Sequence, residues 1–334
     1  MIKTAIAIKN LDIGYKIGNG AVKVHSGINL NALEGEVITL IGANGIGKST
    51  LLKTLSRFLP PIIGEVVLNG KNINHYKRSE FAKVISFVST EIISVNNLRA
   101  KEMVALGRHP YTNWLGRITH SDQAAVQKAM SNVSALHLAE KFVNELSDGE
   151  RQRIMIARAL AQDTPVIILD EPTAFLDLPN KYEIFHLLVR LSRKENKTII
   201  LSSHDLNIAL TEVDKVWLMD RNEIFEGAPE DLILQNHLEN FLNESNVKFD
   251  PSEGLFKIHR NIHSKIQVSG EGLSCLWTMK ALERQGFQID SNAAFQVVCP
   301  MKNGSHWVLK DKELRKSFDF DSIYELNLHL KLNI

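Results

Sequence analysis

Residues 36–59 read EVITLIGANGIGKSTLLKTLSRFL, and this stretch decides the fold. The run 36–42 is short, apolar and β-branched, with Gly35 before it and Gly42 and Gly45 after it, which predicts a buried strand. Residues 49–59 place Leu51, Leu52, Leu55, Phe58 and Leu59 at helical spacing. Between strand and helix, residues 42–49 satisfy GxxxxGK[ST], in the context a phosphate loop requires. Glycines let successive backbone N–H groups turn inward around an anion, and the helix N-terminus adds roughly half a positive charge. The predicted nucleotide-binding set is Gly42, Asn44, Gly45, Gly47, Lys48, Ser49 and Thr50. Lys48 would reach the β- and γ-phosphates of a nucleotide, and the Ser49 hydroxyl would ligate Mg²⁺. A glycine-rich turn with no ligand is the competing reading, and the flanking strand and helix weigh against it. Tyr15, in LDIGYK, is a candidate for stacking on the adenine or, equally, a strand aromatic that packs in the core.

Outward from the loop, PVIILD (165–170) and KTIILSS (197–203) read as two more buried strands. Helical stretches at 151–162 and 180–195 precede them, so the pattern predicts βαβ units and an α/β fold with a mostly parallel sheet. Residues 94–145 read as a polar helical insertion, with a Gly-Arg-His-Pro break at 107–110 and the aromatics Tyr111 and Trp114. The second strand ends in Asp170-Glu171, and a carboxylate at the C-terminal edge of a parallel strand faces the ligand crevice. Asp170 is the candidate for holding Mg²⁺ through water, and Glu171 for polarising the attacking water. One strand over, Ser203-His204-Asp205 ends the third run, and His204 is placed to contact the γ-phosphate or fix that water. Residues 1–244 are thus expected to form one domain.

After about residue 245 the pattern changes. A hairpin is expected from 255–260 and 265–269, a helix at 276–286, strands at 293–299 and 306–310, and a closing helix at 322–332. These predict a small C-terminal α+β domain, 245–334.

A length of 334 residues fits two domains. The net charge is +1, from 39 basic and 38 acidic side chains, which removes the case for sequence-independent nucleic-acid binding. Cys275 and Cys299 are too few for a disulfide framework and read as two buried thiols. No run of about 18 apolar residues occurs and the N-terminus lacks a signal-peptide core, so any membrane crossing would fall to another chain.

Residues 146–153, LSDGERQR, resemble the LSGGQ signature of the nucleotide-binding subunits of ABC transporters. Ser147 follows Lys48 by 99 residues and precedes Asp170 by 23, which is the family's order and spacing. Asp177, in AFLD, matches the family's D-loop, and His204 its switch histidine. The resemblance implies a head-to-tail homodimer, with each ATP between one subunit's Lys48 and the signature residues Ser147, Asp148, Gly149 and Glu150 of the other. ATP would close this bistable element and hydrolysis release it. Residues 102–114, EMVALGRHPYTNW, resemble importer ATPases for iron–siderophore complexes, haem and cobalamin. That type implies separate permease subunits, docked here at Arg108 and Tyr111. It also implies an indirect partner that binds substrate, and a place at the cytoplasmic face of the inner membrane.

Two departures stand out. Thr90 aligns with the family's Q-loop glutamine, and its shorter reach weakens the Mg²⁺ role there. Asp148 and Glu150 replace Gly and Gln in the signature, and Asp148 would cost anion affinity unless its carboxylate points away. The resemblance covers residues 4–244, and the role of 245–334 stays open between regulation, stabilisation and dimer contact. Two alternatives to transport are a soluble ABC ATPase in assembly, repair or translation, and a nucleotide-gated module that barely hydrolyses. A single phosphate loop and the absent basic excess weigh against the first, and intact Glu171 and His204 against the second.

Overall fold

The computed structural model describes residues 3–18, 20–89, 97–113, 116–243, 247–251, 254–258, 260–300 and 306–333. The chain divides into two compact units, 1–242 and 243–334.

The first unit opens with two long strands, β1 (Thr4–Ile17) and β2 (Gly20–Leu33), and then the buried strand β3 (Val37–Gly42). Helix α1 (Lys48–Leu55), strands β4 (Ile63–Leu68) and β5 (Lys71–Asn72), a single turn α2 (Arg78–Phe81) and β6 (Ile85–Val88) follow. The insertion carries α3 (Ala100–Ala105) and α4 (His120–Asn132), and leads into α5 (Asp148–Ala161). Alternation then resumes with β7 (Val166–Leu169), α6 (Leu178–Glu195), β8 (Thr198–Ser202), α7 (Leu206–Glu212) and β9 (Lys215–Met219). The unit closes with β10 (Ile224–Gly227), α8 (Pro229–Leu234) and α9 (His237–Leu242).

Six strands form the central sheet in the order β10-β9-β3-β8-β7-β6, parallel except for the β10 edge. Every residue of β3, β7 and β8 is buried, so these runs are mostly apolar because both faces are covered. The pleat sends Ile167 and Leu169 into the cluster built on the α3–α6 helices. It sends Val166 and Ile168 the other way, against α1 and a second, antiparallel sheet ordered β2-β1-β4-β5. The motif-based reading does not contain that second sheet. Its β1–β2 register shifts at several points, which breaks the alternation that marks a strand in sequence. Since β3, β8 and β7 are neighbours running the same way, the loops after them emerge side by side at one sheet edge.

The second unit begins with β11 (Val247–Asp250) paired to β12 (Leu255–Ile258). It continues through β13 (Ser264–Ser269), α10 (Leu273–Arg284), β14 (Phe287–Ile289), β15 (Phe295–Val298), β16 (Trp307–Asp311), β17 (Lys316–Phe320) and α11 (Ile323–Asn333). The expected hairpin between 255–260 and 265–269 is not formed. Residues 255–258 pair backward with β11, while β13 becomes an inner strand of a five-stranded sheet, parallel to β14 and β15. Leu282 of α10 and Leu326 and Leu330 of α11 pack with Ile266, Val297 and Leu309, so both helices cover one sheet face. Cys275 and Cys299 are buried free thiols, and burial pushes the Cys299 thiol up to about 12.

Candidate active site

The phosphate loop leaves β3 and enters α1 through Gly47, whose φ of +118° is left-handed. A Cβ at Gly47 would come within 2.6 Å of Val24 Cγ1, so both backbone and packing require glycine here. Lys48 folds back into the loop, 5% exposed, and its Nζ donates to the carbonyls of Gly42 (2.8 Å) and Ala43 (3.1 Å). Burial pushes its ammonium below the ordinary lysine range, while the charges of Glu171 and Asp170 push it back up. Tyr15 is half-exposed at the loop's edge, its hydroxyl 3.1 Å from Thr50 Oγ1, so it lies beside the predicted site rather than in the core.

The loop after β7 meets this one through a short relay. Ser49 Oγ donates to Asp170 Oδ1 at 3.0 Å, and Ser202 Oγ donates to the same oxygen at 2.8 Å. Ser202 also accepts the Glu171 N–H at 2.8 Å, fixing a residue whose φ of +46° is strained for a side chain with a Cβ. Glu171 Oε1 lies 2.5 Å from His204 Nε2. A cleft of about 440 Å³ opens there, lined by Glu171, Phe175, Lys181, Ser203, His204 and Asp205 among others. Lys48, Ser49, Asp170, Glu171 and His204 are therefore brought together.

Ser202 is the functional-site residue that motif reading misses. It ends β8, and only the pairing of β8 with β7 sets its hydroxyl between the two carboxylate residues. Ser49 and Asp170 offer only hydroxyl and carboxylate oxygens, the donors that suit Mg²⁺. Among the described residues no group of three or more His, Cys, Asp or Glu side chains could hold a metal alone, so a cation here would share phosphate oxygens.

Ser147 caps α5, accepting the Glu150 N–H at 3.3 Å, while Glu150 Oε2 accepts the Ser147 N–H at 2.9 Å. Glu150 also pairs with Lys141 at 3.1 Å. The Asp148 carboxylate pairs with Arg151 Nη1 at 3.0 Å, which offsets its charge within its own helix. A Cβ on Gly149 would meet Asn180 at 3.4 Å, and Asn180 Nδ2 donates to Asp177 Oδ1 at 2.7 Å, so signature and D-loop are neighbours. Asp177 caps α6. No hydrogen bond or ion pair joins 147–150 to the phosphate loop among the described residues. Thr90 and Trp114 lie outside the described residues.

Arg108 and Tyr111, expected at the permease contact, make contacts within the chain. Arg108 Nε donates to Asp122 at 2.9 Å and Nη1 to the Ala161 carbonyl at 2.8 Å, with both charged side chains nearly buried. Its guanidinium also lies 3.9 Å from the centre of the Tyr111 ring, whose hydroxyl donates to the Gln162 carbonyl. Both residues therefore join the insertion to the end of α5. Arg108→Ala leaves Asp122 buried without its cation, bonded only to Thr119, and is expected to cost about 3 kcal/mol. Thermal unfolding should show this as a Tm lowered by roughly 6–12 °C. The Thr119 hydroxyl and N–H, then Arg108, hold Asp122 down at about 2. A carboxyl depressed on folding stabilises above its unfolded value near 4, so this contribution fades only as pH falls from there through about 2.

A family model described as ABC transporter matches residues 25–174. The ABC transporter ATP-binding protein MJ0873 of Methanocaldococcus jannaschii is 41% identical over 262 residues, 78% of this chain and 88% of that one. The chain belongs to the ABC transporter ATP-binding family. As such it binds nucleotide and is an ATPase. A second model, described as iron ABC transporter C-terminal domain, matches residues 263–331 of this ABC protein. The achromobactin transport ATP-binding protein CbrD of Dickeya dadantii is 39% identical over 69% of this chain and 84% of its own. Among solved structures, the dimeric ATP-binding cassette MJ0796 bound to ADP and Pi superimposes with a TM-score of 0.58. It is 29% identical and spans 67% of this chain and 98% of that one. No helix among the described residues is long and apolar enough to cross a membrane.

Proposed function

We propose that this chain is the ATP-hydrolysing subunit of an importer for iron chelates of the siderophore class or the related haem and cobalamin complexes. Two copies would work with separate permease chains at the cytoplasmic face of the membrane, fed by a substrate-binding protein. The observation that carries the hydrolytic reading is the Glu171–His204 contact beside the loop that holds Lys48. The iron domain match and the achromobactin relative support the cargo class.

ATP enters with its phosphates on the N–H groups of 42–49, and Lys48 exchanges the Gly42 and Ala43 carbonyls for phosphate oxygens. Ser49 and Asp170 would hold Mg²⁺, which neutralises phosphate charge when bound. Glu171, fixed by Ser202 through its own N–H, accepts a proton from the attacking water. His204 orients that carboxylate and reaches toward the γ-phosphate. Ser147 and Gly149 of the second copy complete the site, a step supported by the lack of any bond between 147–150 and the loop within one chain.

Purification of the tagged protein from detergent-solubilised membranes tests the transport reading. A multi-spanning chain is expected to co-purify, and mass spectrometry identifies it. A soluble partner alone, or none, would overturn transport and leave a soluble ATPase.

A further inference from the structure

Eleven of the twenty-three large hydrophobic side chains exposed among the described residues lie in 243–334, which is under a third of the chain. Such concentration marks an interaction surface rather than ordinary scatter. On α11, Leu326 and Leu330 face the core, whereas Tyr324, Leu328 and Leu332 stand out at a four-residue repeat, 75%, 47% and 74% exposed. That is an apolar stripe along one helix face, the form of a helix that seats in a groove.

The same unit holds a groove. It measures about 780 Å³ and runs between α10, β14 and β12, with Leu255, Ile258, Ile262 and Leu276 supplying exposed apolar lining. Lys257, Arg260, Lys280 and Arg284 line it against one acid, Glu283, and Lys257 is paired with Asp250. The entry to α11 carries exposed Asp319, Asp321 and Glu325, with Asp321 3.1 Å from His306 and Lys316 the nearby base on β17. Gln285 at the end of α10 donates to the Asn327 carbonyl of α11 at 3.1 Å, and both helices cover the same face of the sheet. Groove and stripe thus belong to one unit, the groove toward the β14 edge of the sheet and the stripe on the helix over β16 and β17, and they are complementary in polarity and charge.

We propose that the α11 stripe of one copy seats in the α10–β12 groove of a second copy, and reciprocally, making 243–334 a two-fold self-association surface that needs no ATP. A two-fold axis satisfies both contacts at once. A small ligand would fill the groove and leave the stripe uncovered, whereas a second copy covers both. The proposal gains from the cassette dimer of the preceding section, which would raise the effective concentration of the two units, and only that gain rests on the functional reading.

Sedimentation of the full chain without nucleotide is the test. A reversible dimer is expected, with Leu328→Asp or Leu276→Asp weakening it by about tenfold or more. Both positions are exposed, so circular dichroism should stay at the parent level. Charge reversal is the sharper arm. K280E with R284E should weaken the dimer, and adding D319K with E325K should restore it. A monomer at about 0.1 mM, or a dimer unmoved by all these variants, would overturn the proposal. A dimer lost on reversal but never restored would also overturn it, since the contact would then lie elsewhere. None of these readouts involves ATP, so failure of the catalytic assignment would leave them unaffected.

Discussion

Glu171→Gln lowers steady-state ATP hydrolysis by about 10²–10⁴-fold while ATP still binds. The substitution keeps the shape of the side chain and removes its ability to take a proton. The backbone at 171 stays where Ser202 fixes it, because that bond uses the Glu171 N–H and not the carboxylate. His204 can still bond the amide oxygen, so the cleft should persist. ATP should then accumulate unhydrolysed on the variant, and gel filtration should recover it bound where the parent releases ADP. Hydrolysis at the parent rate would show that the proton goes to another group, and the role given to Glu171 would be wrong.

Lys48→Ala should abolish detectable hydrolysis, a loss of about 10²–10³-fold or more, and weaken ATP binding with it. The ammonium is buried in the loop, and its present partners are neutral carbonyls that it can leave for phosphate oxygens. Removing it strips the main side-chain cation from a site that must also hold Asp170 and Glu171. Lys48→Arg should fail as well, because a planar fork does not fit where the loop wraps a compact ammonium that is 5% exposed. Titration calorimetry separates the two effects, reading binding apart from phosphate release. An arginine variant with parent activity would mean that charge alone suffices and that the tight seat of Lys48 has no catalytic consequence.

Much of the site was legible because its residues are bound to local context. The glycines, Lys48 and Ser49 sit in one continuous stretch whose strand and helix were visible on either side. Asp170, Glu171 and His204 follow mostly apolar, β-branched runs that alternate with helical stretches, which reads as inner parallel strands. What was not legible depends on pairing. Nothing in a pair of serines before His204 tells which one bridges two strands, and Ser202 appears only when β8 lies against β7. Residues 255–258 do form a strand, but a strand-like run does not name its partner, and β11 lies on the other side of the turn. Arg108 beside an aromatic read as an interface residue. Its partner within the chain, Asp122, lies in the next helix, at a distance that local spacing does not reveal.

The head-to-tail composite site is the central claim, and mixing two inactive chains tests it most directly. Lys48→Ala keeps an intact signature, and Gly149→Arg keeps an intact phosphate loop. Each alone should be inactive, since every site in either homodimer lacks one half. Mixed in equal amounts, half of the random dimers carry one whole site, so activity should return to about a quarter of the parent value. A mixture as inactive as its components would contradict the shared site, and so would a Gly149→Arg chain that hydrolyses ATP on its own.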